Sequence, residues 1–173
     1  MAAKLDARMV ILPLLEASNL VRKNFHEIAK VIKEAAYIAK QKNICLCIES
    51  LVSANELNDF ISMINMNNVK AVFDTGNRVL ETPDLYSEIL ILSENIRHIH
   101  IKDKDRFGNN VTLGSGMVDF CGVFDALKKI NFCGALNFET NRGSVPLNTA
   151  RHNIKFCEFF LENSKNNPIL IKK

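Results

Sequence analysis

The sequence predicts an α/β protein built on parallel strands, each followed by a helix. Three observations carry that expectation. Short apolar runs of β character alternate with stretches of helical periodicity along the chain. Runs such as Ile44–Ile48 are apolar on both faces, as a parallel sheet covered by helices requires. Finally, four polar residues close or follow such runs: Glu49 after Ile44–Ile48, Asp74 after Val69–Phe73, His100 after Ile96–Ile99, and Glu139 after Ala135–Phe138. Their intervals of 25, 26 and 39 residues suit βα repeats, the last with an extra loop. Parallel strands joined by helices bring their C-terminal ends to one rim, so three carboxylates and an imidazole are expected to converge there. Such an oxygen-rich set suits a divalent metal.

Met9–Leu14 reads as the first strand, with Pro13 near its end. Asn24–Lys40 places Phe25, Ile28, Ala29, Ile32, Ala35, Ala36 and Ala39 at spacings of three and four, the mark of a helix. Strand Ile44–Ile48 precedes a helix over about 54–64, where Leu57, Phe60, Ile61 and Ile64 share a face. Strand Val69–Phe73 leads to helix Pro83–Ser93, Pro83 suiting a first turn. Strand Arg97–Ile101 runs into Lys102–Asn110, the longest loop expected. Gly114–Gly122 reads as loop, Val123–Ile130 as helix, Gly134–Phe138 as strand and Asn148–Glu162 as the last helix. The Asn- and Lys-rich Asn163–Lys173 is expected to be a frayed tail, with Ile169–Ile171 able to dock.

Five βα units with right-handed connections leave two architectures open. One is an open, doubly wound sheet; the other is part of a closed barrel, which needs eight units and about 250 residues. The 173 residues predict one domain with a substantial core, and 47% hydrophobic with 24% charged residues is ordinary for a soluble globular protein. The net charge of +3 is spread without a dense basic stretch, so nucleic-acid binding by a basic face is not expected. No apolar stretch approaches the roughly 20 residues that cross a bilayer. Met1–Arg8 lacks the basic-then-apolar order of a signal peptide, and a cytoplasmic location away from membranes is the expectation. The five cysteines, Cys45, Cys47, Cys121, Cys133 and Cys157, are odd in number and form no CxxC pair. Small buried hydrophobes in a reducing compartment are therefore expected, with Cys45 and Cys47 on one strand face.

Longer motifs are more specific. Phe73-Asp74-Thr75-Gly76-Asn77 resembles the D-x-G-N turn after the sixth strand of the xylose-isomerase-like barrel superfamily. His98-Ile99-His100-Ile101-Lys102-Asp103 resembles its H-x-H-x-K-D seventh strand, and Leu113–Phe120 is similar to its L-G-x-G-x-V-D-F loop. Ile48-Glu49 and Phe138-Glu139 match the acidic ends of the fifth and eighth strands. Each motif is weak alone, but five in the right order and spacing are strong, and they point to the ketose and pentulose-phosphate 3-epimerases and isomerases. The resemblance covers Met9 to about Leu161. It places the chain on βα units four to eight of a TIM barrel, an α/β half-barrel without counterparts of the first three units. A homodimer, in which a second copy covers the open sheet edges, is the arrangement this implies.

By the same resemblance, Glu49, Asp74, His100 and Glu139 are the metal ligands. Mixed oxygen and nitrogen donors favour Mn²⁺, with Zn²⁺, Co²⁺ or Mg²⁺ as alternatives. His100 would bind as neutral imidazole, so affinity is expected to fall below its ordinary pKa of about 6.5. The implied activity interconverts ketoses or ketose phosphates by proton transfer through an enediolate. Glu49 and Glu139 are the implied acid–base pair, exchanging roles on opposite faces of that planar intermediate. Arg106, six residues after His100, and Lys102, two after it, are implied substrate-binding cations, with plain solvent exposure the competing reading for Arg106. Glu16, just past the first strand, is a further rim candidate.

Other readings of single residues and motifs compete with these. His98 is expected to be a hydrogen-bonded packing residue, and His26 and His152 have no partner motif. Gly114 and Gly116 fit either a phosphate cradle or a turn that needs glycine. Asp103 and Asp105 resemble an ion site only superficially, since the calcium-loop pattern is absent. The AP-endonuclease branch needs a histidine where Asn77 stands and an aspartate–histidine pair where Gly114–Phe120 lies, so DNA repair is not expected. A polyol dehydratase of the same superfamily, or an inactive half-barrel that self-associates, are the alternatives to an epimerase.

Overall fold

A computed structural model describes residues 2–162, and the strand–helix alternation runs through them. The readings of Asn163–Lys173 and of docking by Ile169–Ile171 lie outside the described residues. The elements are β1 (Met9–Leu14), α1 (Phe25–Lys40), β2 (Cys45–Ser50), α2 (Ala54–Ile64), β3 (Val69–Asp74), α3 (Thr75–Arg78) and α4 (Leu85–Leu92). They continue with β4 (Ile96–Ile101), β5 (Asp103–Lys104), β6 (Asn110–Val111), α5 (Phe120–Lys129), β7 (Ala135–Phe138) and α6 (Pro146–Glu162). Five strands form a parallel sheet in the order β1-β2-β3-β4-β7, so chain order becomes sheet order. Met9 pairs with Cys45 and Leu46 with Val69, which sets the register of the first three strands. No described helix is long and apolar enough to cross a membrane.

The described residues group into two compact units. The first holds those up to Phe73 together with Ile91–His98. The α2 face is as the periodicity predicts, with Leu57, Phe60, Ile61 and Ile64 buried; on α1 Phe25, Ala29, Ile32 and Ala36 are buried, while Ile28 and Ala39 are half-buried and Ala35 is exposed. Each fully buried aliphatic or aromatic side chain of this kind contributes about 1.5–3 kcal/mol. The Phe25 and Phe60 rings meet with centroids 5.0 Å apart. A capping box starts α2: Ser53 Oγ accepts the Glu56 N–H, and Glu56 accepts the Ser53 N–H. Asn65, left-handed at φ 52°, ends it.

The second unit holds Asp74–Leu90 and the described residues from Ile99 onward. Helices α5 and α6 pack through aromatic rings, Phe120 on Phe156 at 5.0 Å and Phe124 stacked on Phe160 at 5.1 Å. Buried Arg78 of α3 pairs with Glu88 of α4, its Nε donating to Oε2 at 2.7 Å.

Several boundaries differ from expectation for local reasons. Strand β2 extends to Ser50, so Glu49 lies within it. Helix α4 starts at Leu85, after Pro83, because Asp84 accepts the Ser87 N–H at 3.0 Å and takes the capping position. Helix α5 starts at Phe120, because Asp119 accepts the Gly122 N–H at 3.1 Å. The expected loop Lys102–Asn110 contains an antiparallel pairing of β5 with β6. The cysteine expectation holds for Cys47 and Cys157, but Cys121 and Cys133 are exposed and Cys45 is half-buried. Cys121 lies in the first turn of α5, beside the buried Phe120 and off the buried Val123–Phe124 face.

Candidate metal centre

The second unit gathers Asp74, His100, Lys102 and Glu139. Asp74 is the last residue of β3 and also the N-cap of α3. Its Oδ1 accepts the Asn77 N–H at 2.7 Å, which turns Oδ2 away from the helix. That Oδ2 is buried and faces the Lys102 ammonium. His100 Nδ1 lies 3.5 Å from it and 3.7 Å from Glu139 Oε2. Glu139 follows β7 and is tied to β4 by its N–H, which donates to the Ile101 carbonyl at 3.1 Å.

Asp74, His100 and Glu139 each offer a donor atom within 4.8 Å of the other two. Two ligands about 2.1 Å from one ion, at angles of 90–110°, stand roughly 3.0–3.4 Å apart. The two His100 separations, 3.5 and 3.7 Å, lie just above that range. With two carboxylates and one imidazole, the donor chemistry also suits a first-row divalent ion. Asp74 and His100 are buried while the Glu139 side chain is 47% exposed, so the cluster opens to solvent on the Glu139 side.

Lys102 occupies the middle of this group. Its ammonium is 3.1 Å from Asp74 Oδ2 and in direct contact with Glu139 Oε2. Burial alone would lower its pKa, but Glu139 and Asp74 outweigh that and hold it above the ordinary lysine value. For Asp74, burial is likewise the largest single influence and would raise the pKa. His100, the Asn77 N–H and Lys102 together outweigh it, leaving the carboxyl below its ordinary range.

Two residues that sequence reasoning passed over position these groups. Thr75 is fully buried; its Oγ1 donates to the Lys102 carbonyl at 2.6 Å and accepts the Lys102 N–H at 3.0 Å. It thereby ties the start of α3 to the residue after β4. Gly76 leaves room for the Lys102 stem, since a Cβ there would stand 2.6 Å from Lys102 Cγ. The D-x-G-N motif contained both residues; what it could not reveal is that they face Lys102.

Glu49 is buried near the end of β2, in the first unit. Arg106 is exposed on the turn between β5 and β6, its guanidinium 4.7 Å above the Phe107 ring. Glu16 is exposed at φ 51° on the turn after β1. His98 is buried and partnered. The Gly114–Val118 loop wraps a carboxylate of the protein. Asp103, fully buried, accepts the N–H groups of Gly114 and Gly116 on Oδ2 and those of Lys104 and Val118 on Oδ1, at 2.8–3.1 Å. Asp105 is likewise occupied by its own turn, accepting the N–H groups of Phe107 and Asn109 at 2.9 Å.

Comparison with known proteins agrees with this architecture. A ketose 3-epimerase of Arthrobacter globiformis is 31% identical over 109 residues, 60% of this chain and 36% of that protein. A solved L-ribulose 3-epimerase superposes with a TM-score of 0.81 at 22% identity, covering 96% of this chain and 68% of that one. The IOLI protein, solved with a bound zinc atom, superposes with a TM-score of 0.74 at 19% identity, covering 94% and 64%. The match to the curated relative thus spans little more than a third of its length. A family profile described as the xylose isomerase-like TIM barrel matches residues 1–159, and the chain belongs to that family.

Proposed function

We propose that this chain carries the metal-binding and proton-transferring part of a sugar 3-epimerase acting on ketoses or ketose phosphates. The observation that carries the proposal is the Asp74–His100–Glu139 cluster, whose donor atoms lie within 4.8 Å of one another. The ketose 3-epimerase relative and the zinc in the IOLI protein support the same reading. In this proposal the chain corresponds to βα units four to eight of the barrel.

Glu49 is proposed as the fourth ligand. Its support is the family resemblance and its burial near the end of β2, a strand paired in parallel with β3. What a bound divalent ion supplies is positive charge beside the carbonyl and hydroxyl oxygens of the sugar, with Mn²⁺ the preferred ion. One of Glu49 and Glu139 takes the proton from the carbon next to the ketone, leaving a planar enediolate. The other delivers a proton to the opposite face, inverting that carbon with no net change in protonation. Lys102, already against Glu139, is placed to meet a substrate hydroxyl, and Arg106 is the second proposed substrate contact.

Lys102 also favours a second reading, a metal-free polar cluster in an inactive protein, because its ammonium already contacts both carboxylates. Calorimetric titration of metal-free protein with Mn²⁺ separates the two. The epimerase reading expects saturable binding, weakened at least about tenfold by Glu139→Ala or Glu49→Gln. Absence of saturable binding, or the same affinity in Glu139→Ala, would favour the inactive cluster.

A further inference from the structure

The N-terminal ends of the strands in the first unit carry a separate cluster of charge. Arg8 precedes β1, Cys45 opens β2, and Lys70 and Arg97 are the second residues of β3 and β4. With Lys40 from the end of α1, they line a cavity of about 460 Å³, within the size range of small-molecule sites. Among the described residues no Asp or Glu lines it; the other described wall residues are three asparagines and Ile44. None of the four cations forms an ion pair with a described residue.

Hydrogen bonds hold the wall residues in place. Asn68 Nδ2 donates to the carbonyls of Ala36 and Ile44 at 2.9 and 3.1 Å, and Lys70 Nζ donates to Asn95 Oδ1 at 3.2 Å. The half-buried Cys45 thiol also lines the cavity. Its pKa is pushed down to about 7, chiefly by the Cys47 thiol 3.6 Å away, against the effect of burial and with help from Arg97 and Lys70. Four like charges converging without a counter-charge repel one another, and an anion among them relieves that repulsion.

We infer that this cavity binds a small, multiply charged oxyanion of the phosphate-ester or polyphosphate class. Guanidinium groups pair with phosphate oxygens in bidentate fashion, and lysines add point charges. A nucleic-acid strand fits less well, because the sequence has no dense basic stretch to extend such a contact. The site stands on residues of the first unit alone and does not depend on the epimerase reading.

The test is calorimetric titration of the metal-free 173-residue chain with inorganic pyrophosphate in low-salt buffer. Saturable one-to-one binding is expected, weakened about tenfold by Lys70→Gln or Arg97→Gln and weakened by added salt. Glu139→Ala is expected to leave it unchanged. In parallel, alkylation of Cys45, read by peptide mass, is expected to slow under saturating pyrophosphate while the exposed Cys121 and Cys133 react as before. Both substituted cations lie at the cavity rim rather than in the core, so circular dichroism of the variants should match the parent. No saturable binding would overturn the inference, as would equal affinity in both variants with Cys45 labelling unchanged. Tight binding of a single-stranded oligonucleotide without binding of pyrophosphate would also overturn it, in favour of a nucleic-acid partner.

Discussion

Lys102 lies against the carboxylates of both Asp74 and Glu139. Its ammonium and a divalent ion would compete for the oxygens of Asp74 and Glu139. Lys102→Met is therefore expected to raise Mn²⁺ affinity by about tenfold, from lost repulsion and two freed carboxylates. Calorimetry checks this, and unchanged or weaker binding would count against the overlap of the two sites. The same variant should lose pH-dependent stability in the metal-free state. Asp74 is held low, so its contribution is present above the unfolded value of about 3.9 and is lost as pH falls through the folded value. Lys102 is held high, so its contribution is present below about 10.4 and is lost as pH rises through the folded value. Urea midpoints across pH should show a plateau between these limits. In Lys102→Met the alkaline limb should vanish and the acid limb shrink. The motif H-x-H-x-K-D made Lys102 visible as a cation near His100, but its pairing with Glu139 links residues 37 positions apart and had no local signal.

At the scale of elements, the most instructive segment is Leu113–Phe120. Its glycines fit a phosphate cradle or a turn equally well as sequence. In the fold the loop closes on Asp103, and Gly114 takes φ +84° with Phe156 packed where a side chain would project. Asp103→Asn would set an amide NH₂ against two backbone N–H donors and remove the charge from four hydrogen bonds. The expected loss is about 2–4 kcal/mol of stability. Chemical denaturation measures it, and a loss below about 0.5 kcal/mol would mean that the loop is not organised by this carboxylate. Boundaries set by capping were partly legible: Ser53 with Glu56 is a readable capping box, and Asp119 before Phe120 was a signal passed over. The short helix α3 was not legible, since four residues carry no periodicity and its cap doubles as a site carboxylate.

For the whole molecule, the sheet order leaves β1 and β7 at its edges. No residue of either strand is buried, whereas β2, β3 and β4 are largely buried. Helix α6 adds exposed Leu147, Ile154 and Phe159. Apolar surface and open edges of this kind invite association, and a homodimer is proposed to cover them. Light scattering is expected to give twice the 19.5 kDa chain mass, and a monomer at micromolar concentration would contradict it. The succession of strands and helices was legible in sequence because periodicity is a local property, read within a dozen residues. The polar residues at the strand ends were legible too, because parallel topology sends every C-terminal end the same way. Only the tertiary structure could decide which partners those residues take. It set Lys102 between Asp74 and Glu139, turned the glycine loop inward onto Asp103, and left four cations around one cavity, because through-space distances of a few ångströms join positions that the chain separates by tens of residues.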